Sequence, residues 1–216
     1  MAIKAGKKAK LLCTGSKLSF TTEATTSTGN LVYQIDATTK RIWDRTEVIS
    51  VLDGGVPTVE AYTLNRLEGK VTFGSATARV ITVTGYYLPT TEIGSAKDYS
   101  YSIKANNEDV TEFGKSYINR KQALLDFTCS ISQFSIDDVY QNFLVDGTPM
   151  VIEFYSDKTV VVAPNEIGFD LKAWVIPSSN DNSGAVDGVV EESLEFEGTT
   201  DDDRRCITIN EHLNLV

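Results

Sequence analysis

Alternation with a period of two runs through most of the chain. Val48, Ser50 and Leu52 alternate with Ile49 and Val51 in a short β-branched run, and Asp53-Gly54-Gly55 follows, where positive φ is cheap. With residues 56–63 beyond it, this reads as a hairpin. Residues 70–73 and 79–84 read as a second strand pair around 74–77. Further strands are expected at 99–104, 127–134, 150–155, 159–163, 168–176, 189–196 and 205–210. Thr, Val, Ile, Tyr and Phe dominate them, and these side chains pack well on a pleated surface.

One segment has the helical period instead. Ser135 is placed to cap residues 136–145, with Asp137 and Asp138 in the first turn, where the helix dipole favours them. Ile136, Val139, Tyr140 and Phe143 recur at three- and four-residue steps and form one apolar face to anchor the helix. Asp146-Gly147 stops it, and Pro149 lies beyond. A second helical segment is readable at 119–125. Many short strands and one main helix predict a mainly β fold, a β-sandwich or barrel with one flanking α-helix. Residues 178–184 are too hydrophilic for a strand and read as a long exposed loop. Residues 1–12 read as a mobile basic arm bearing Lys4, Lys7, Lys8 and Lys10, and 210–216 as a mobile tail. Residues 13–209 form the domain between them, with a sub-boundary near 90–97.

Length and composition narrow this picture. The chain has 216 residues, 41 % of them apolar, enough for a real core in one or two domains. No apolar run approaches the ~20 residues of a membrane span, and the basic start lacks the apolar stretch of a signal peptide. The expectation is a soluble protein made in a cytoplasm. Net charge is −10 and uneven: residues 1–89 hold 11 basic and 7 acidic side chains, residues 90–216 hold 9 and 23. An acidic half repels phosphate, which disfavours a protein that grips nucleic acid.

Candidate chemistry is sparse. The one histidine, His212, lies near the C-terminus, and a triad built on a mid-chain His is therefore not expected. Cys13, Cys129 and Cys206 are far apart, without zinc spacing, and read as reduced, buried thiols. Asp201-Asp202-Asp203 offers carboxylates to a hard cation, but consecutive side chains on an extended segment do not converge. Asn180-Asp181-Asn182-Ser183-Gly184 resembles part of a calcium loop without the closing Glu. Glu191, Glu195 and Glu197 share one parity, while Leu194 and Phe196 share the other. That pattern reads as an acidic face toward water rather than a glycosidase pair. Trp43 and Trp174 read as core rather than a carbohydrate platform. No Walker sequence, nucleotide-binding glycine pattern or nucleophile elbow occurs, so no catalytic, cofactor or metal residues are assigned and an enzyme is not expected.

Two stretches carry a resemblance. The first comprises Tyr33-Gln34-Ile35-Asp36, Lys40-Arg41-Ile42-Trp43-Asp44, residues 62–73 (YTLNRLEGKVTF) and Val83-Thr84-Gly85-Tyr86-Tyr87-Leu88-Pro89. The second is Phe169-Asp170-Leu171-Lys172-Ala173-Trp174-Val175, an expected loop, and residues 186–198 (VDGVVEESLEFEG). Together they resemble the tail tube (major tail) proteins of tailed bacteriophages, over roughly residues 15–200. The resemblance implies a β-sandwich with one helix on its flank. It implies hexameric rings stacked into a virion tail tube, the inward sheets of six copies joining into one barrel around a channel. The implied partners are further copies of the chain, a tape measure protein in the lumen, and tail terminator and baseplate or tail-tip proteins. Double-stranded DNA would pass without sticking to an acidic lumen, and no membrane is involved. On this reading Ser178, Ser179, Asn180, Asp181, Asn182, Ser183, Gly184 and Asp187 form a ring-stacking loop. Two other readings compete: an immunoglobulin-like binding module, such as a capsid decoration or adhesin domain, and a carbohydrate-active enzyme using the acidic strands.

Overall fold

The computed structural model describes residues 7–95, 98–109, 120–134, 145–156, 167–183 and 191–213. The strands, in chain order, are β1 (Lys7–Thr14), β2 (Leu18–Thr28), β3 (Val32–Ile35), β4 (Ser50–Asp53), β5 (Val56–Pro57), β6 (Tyr62–Asn65), β7 (Lys70–Phe73) and β8 (Ile81–Tyr87). They continue as β9 (Thr90–Ser95), β10 (Asp98–Asp109), β11 (Arg120–Phe134), β12 (Met150–Ser156), β13 (Ile167–Ser183), β14 (Glu191–Gly198) and β15 (Ile207–Leu213). The fold is mainly β and built of antiparallel sheets, as the period-two pattern requires. Its contacts define two compact units: Met1–Ser95 with Pro149–Val175 and Thr199–Val216, and Ala96–Thr148 with Ile176–Gly198.

The first unit holds two sheets. One is seven-stranded, in the order β5-β4-β8-β2-β3-β7-β6. Its alternation is plain in β8, where Ile81 and Val83 are buried and Thr82 and Thr84 only partly so. Trp43 and Tyr33 fill the core beneath it, with Phe20 stacked 6.2 Å from Trp43 and Phe73 set edge-on to Tyr33 at 5.7 Å. A Cβ at Gly85 would lie 2.5 Å from Ile49 Cδ1, so the glycine is what lets Ile49 reach this core. The second sheet runs β9-β1-β12-β13, with β15 on the first half of β13. Ile42 and Leu67 pack with Val151 and Trp174 to form a smaller apolar cluster between the sheets. Trp174 is fully buried, and truncation of such a side chain costs about 3–5 kcal/mol.

The second unit is a sheet in the order β10-β11-β14-β13, using the Ile176–Ser183 part of β13. Among its described residues, Phe127, Cys129, Ile131, Leu194 and Phe196 are buried.

Several expectations hold at the level of single elements. Gly54 and Gly55 take φ of 59° and 85° and turn β4 into β5. Strand 70–73 is β7, and Trp43 and Trp174 are core. Others are corrected. Strands 70–73 and 79–84 do not pair with each other: β7 lies between β3 and β6, and β8 between β2 and β4. Residues 120–125 are strand, not helix, because β10 pairs with them from Asp109↔Arg120 to Ala105↔Leu125, with one register shift between Ala105 and Asn107. Lys7, Lys8 and Lys10 belong to β1, paired with Ser156, Tyr155 and Glu153, rather than to a mobile arm. The tail at 210–213 is likewise part of β15. The loop read at 178–184 is strand through Ser183, since ladder bonds come from the backbone and tolerate polar side chains. Lys4, the strand read at 159–163, and the helix with its anchor Ile136, Val139, Tyr140 and Phe143 lie outside the described residues. Where description resumes, Val145 and Asp146 are helical and Gly147 has φ of 60°, the left-handed stop expected there.

Candidate functional site

The sheet of the second unit sorts its side chains by face. One row pairs Ser100 with Ser130 and Ser130 with Glu195, and the row two residues on pairs Ser102, Thr128 and Glu197. The next joins Lys104 to Asp126. Rows of opposite parity pair Tyr101, Cys129 and Phe196, and then Tyr99, Ile131 and Leu194. Period two therefore gives one apolar face and one face of hydroxyls and carboxylates. On the polar face Ser100 and Ser130 share a 2.8 Å hydrogen bond, and the Ser179 hydroxyl donates to Glu195 Oε2 at 3.1 Å. Glu195 and Glu197 are exposed above buried Leu194 and Phe196. A recess of about 370 Å³ opens here, lined by Ser100, Ser102, Thr128, Ser130, Ser178, Glu195 and Glu197, with parts of Tyr101, Cys129 and Phe196.

Charge also divides between the units, though less sharply than between residues 1–89 and 90–216. The second unit holds 5 basic and 14 acidic residues, a balance of −9, while the first holds 15 and 16, a balance of −1. The edges of the second unit's sheet are also distinctive. Among the described residues β10 is paired on one side only, by β11, along 12 residues. At the other edge, β12 pairs with β13 only up to Val175, so residues 176–183 have β14 alone as a strand neighbour among the described residues.

The first unit gathers a different polar cluster. Arg66 is 5 % exposed, and its Nε donates to Asp203 Oδ2 at 2.7 Å. Its Nη1 donates to the carbonyls of Asp44 and Glu47 at 2.6 and 2.7 Å. One guanidinium thus ties three loops. Asp44 Oδ1 accepts the Thr46 and Glu47 N–H groups and the Thr46 hydroxyl. Burial by itself raises the Asp44 carboxyl, but these hydrogen bonds and Lys17 outweigh it and hold the group below its ordinary range. Asp201 is 5 % exposed, and burial, helped by Asp203, pushes its carboxyl up, against the Arg205 N–H and Arg66. Arg45 lies over the Trp174 ring at 5.8 Å and donates to the Thr199 hydroxyl and Thr200 carbonyl. Its burial lowers the guanidinium, with Asp201 opposing.

The expected sites divide accordingly. Asp201, Asp202 and Asp203 lie in a tight turn with separate duties, and no group of three or more metal-ligating side chains is gathered among the described residues. Glu195 and Glu197 share the polar face as their parity demands. Of the proposed stacking loop, Ser178 and Ser179 belong to this sheet, while Gly184 and Asp187 lie outside the described residues. Cys129 is buried and reduced, and Cys206 is half-buried. The hydroxyl rows of β10 and β11 were not singled out from sequence, although the alternation in Ser100-Tyr101-Ser102-Ile103 and Thr128-Cys129-Ser130-Ile131 is their signature. No protein-family model and no curated protein matches the chain.

Proposed function

We propose that this chain is a structural, non-enzymatic subunit of a phage tail tube or tail-like particle. It assembles as stacked hexameric rings around a channel that conducts double-stranded DNA. The observation that carries the reading is the second unit's sheet, with two edges unpaired among the described residues, one polar face and nearly all of the net negative charge. The pairs β10–β11 and β11–β14 are antiparallel, and the short 184–190 connection makes β14–β13 antiparallel as well. Four alternating strands leave outer strands of opposite direction. Copies related by rotation then bring β10 of one against residues 176–183 of the next as another antiparallel pair. Such heterologous contacts close into a ring and remove the exposed edges that would otherwise invite aggregation. A wall of hydroxyls and carboxylates repels phosphate and gives DNA nothing to bind.

Electron microscopy of the purified protein tests this, rings or tubes with a central channel being the expected result. Ser100→Pro and Tyr101→Pro, made separately, test the seam. Successive N–H groups of a strand point to opposite sides, so one proline removes an outward donor and the other a donor to β11. The outward variant should stay folded and fail to form rings. A panel in which every folded variant assembles like the parent refutes the seam, and a parent that stays monomeric at all concentrations refutes the tube.

A further inference from the structure

The β6–β7 hairpin in the first unit carries a polar triad unrelated to these surfaces. Asn65 ends β6, Lys70 begins β7, and the two are paired directly across the hairpin, so their side chains share one face. Glu68, in the turn between them, meets both with the same oxygen. Its Oε2 lies 2.6 Å from Lys70 Nζ and accepts from Asn65 Nδ2 at 3.2 Å. On the other side of the amide, the Thr208 hydroxyl donates to Asn65 Oδ1 at 3.1 Å. Asn65, Glu68 and Thr208 are buried, with exposures of 9 %, 5 % and 7 %, and the Lys70 side chain is about three-quarters covered.

Each contact has a chemical consequence. A hydroxyl on the amide oxygen stabilises the charge that develops there when a nucleophile adds to the carbonyl carbon. A carboxyl touching both nitrogens can take a proton from the one and deliver it to the other. The groups are also held in place. Gln34 Nε2 donates to the Glu68 carbonyl at 2.9 Å, and Gly69 has φ of 60° with no room for a Cβ, which would meet Ile35 Cγ2 at 2.8 Å. Positioning of this kind supplies much of the advantage of an intramolecular reaction.

We propose that Lys70 and Asn65 form an intramolecular isopeptide bond, with Glu68 as the proton-transferring group. The Lys70 ammonium gives a proton to the Glu68 carboxylate, and the freed amine adds to Asn65 Cγ. Glu68 passes its proton to the departing amide nitrogen, so that the new Nζ–Cγ bond replaces the Cγ–Nδ2 bond. The second amine proton leaves with the ammonia, which departs as ammonium, and Glu68 is restored. No oxidant or co-reactant is consumed. The product ties β6, an edge strand of only four residues, covalently to its neighbour.

Intact-mass measurement of the full chain, followed by tryptic mapping, decides the matter. The bond lowers the mass by one ammonia and blocks cleavage after Lys70. It therefore joins residues 46–66 to residues 67–79 in one branched peptide. Glu68→Gln, checked for folding by circular dichroism, should lose that peptide and recover the full mass. A parent chain at its full sequence mass, with Lys70 cleaved normally, overturns the proposal. So does an ammonia loss at Asn65 that leaves Lys70 cleavable, since that marks a succinimide. A branched peptide undiminished in folded Glu68→Gln overturns the role of Glu68.

Discussion

Replacing Arg66 measures how the first unit holds its loops together. The guanidinium has three acceptors: the carbonyls of Asp44 and Glu47 and the Asp203 carboxylate. Arg66→Met keeps much of the stem and removes every donor. Two carbonyls are then left without their partner beneath a side chain that was 5 % exposed, each costing about 1–3 kcal/mol. Asp203 keeps 35 % of its side chain in water, so losing its ion pair adds only about 0–1 kcal/mol. These terms sum to about 2–7 kcal/mol, which brackets the roughly 3–5 kcal/mol for breaking one side of a buried charged contact. Asp203→Asn leaves both carbonyl bonds in place and should cost about 1 kcal/mol or less. Arg66→Lys keeps the charge but loses the fork, and should fall between them. Urea unfolding followed by tryptophan fluorescence is the assay, since both Trp43 and Trp174 lie buried in this unit. A stability change appears as a shifted midpoint at constant slope. Equal losses for Arg66→Met and Asp203→Asn would refute the reasoning, because the ion pair and not the carbonyl bonds would then carry the energy.

Thr22 has φ of 48° at the bulge in β2, a conformation that is costly for a β-branched residue, and its N–H is held by the Thr84 hydroxyl at 2.9 Å. Thr22→Gly should therefore raise stability, by about 0.5–1 kcal/mol after the glycine entropy cost, and a lowered thermal midpoint contradicts this. Gly69→Ala should destabilise by more than about 1 kcal/mol in the same assay, since φ is 60° and Arg41 backbone atoms lie 3.1 Å from the added Cβ. Asp44, held below its ordinary range, contributes stability that is present above the unfolded carboxylate value and lost as pH falls through its lower folded value. The cost of Asp44→Asn should accordingly shrink between pH 7 and pH 3. Asp201 has the opposite sign: its contribution is full below the unfolded value and is lost as pH rises through the raised folded value. Asp201→Asn should compare more favourably with the parent at pH 7 than at pH 3.5, and a reversed order in urea titrations at the two pH values would refute the assignment.

The mainly β class, most strand positions and the buried Trp43 and Trp174 are legible in the sequence, because a pleated strand writes its two faces at period two. So are the turn at Gly54-Gly55 and the acidic parity of Glu195 and Glu197 over Leu194 and Phe196. Which strand lies beside which is not written locally. Strand β7 fits β3 and β6 rather than β8, and residues 120–125 become strand only because β10 runs alongside. Polar residues 178–183 are strand for the same reason, since backbone pairing is blind to side-chain hydropathy. The division of charge is also tertiary. The sequence separates a basic from an acidic half near residue 90, but Pro149–Val175 and Thr199–Val216 fold with the N-terminal strands, so the units carry −1 and −9 where the two halves carry +4 and −14. The loop cluster around Arg66 and the meeting of Thr208 with Asn65 join residues more than 130 positions apart. Their single polar side chains carry no period, so only the packing of distant segments brings them together.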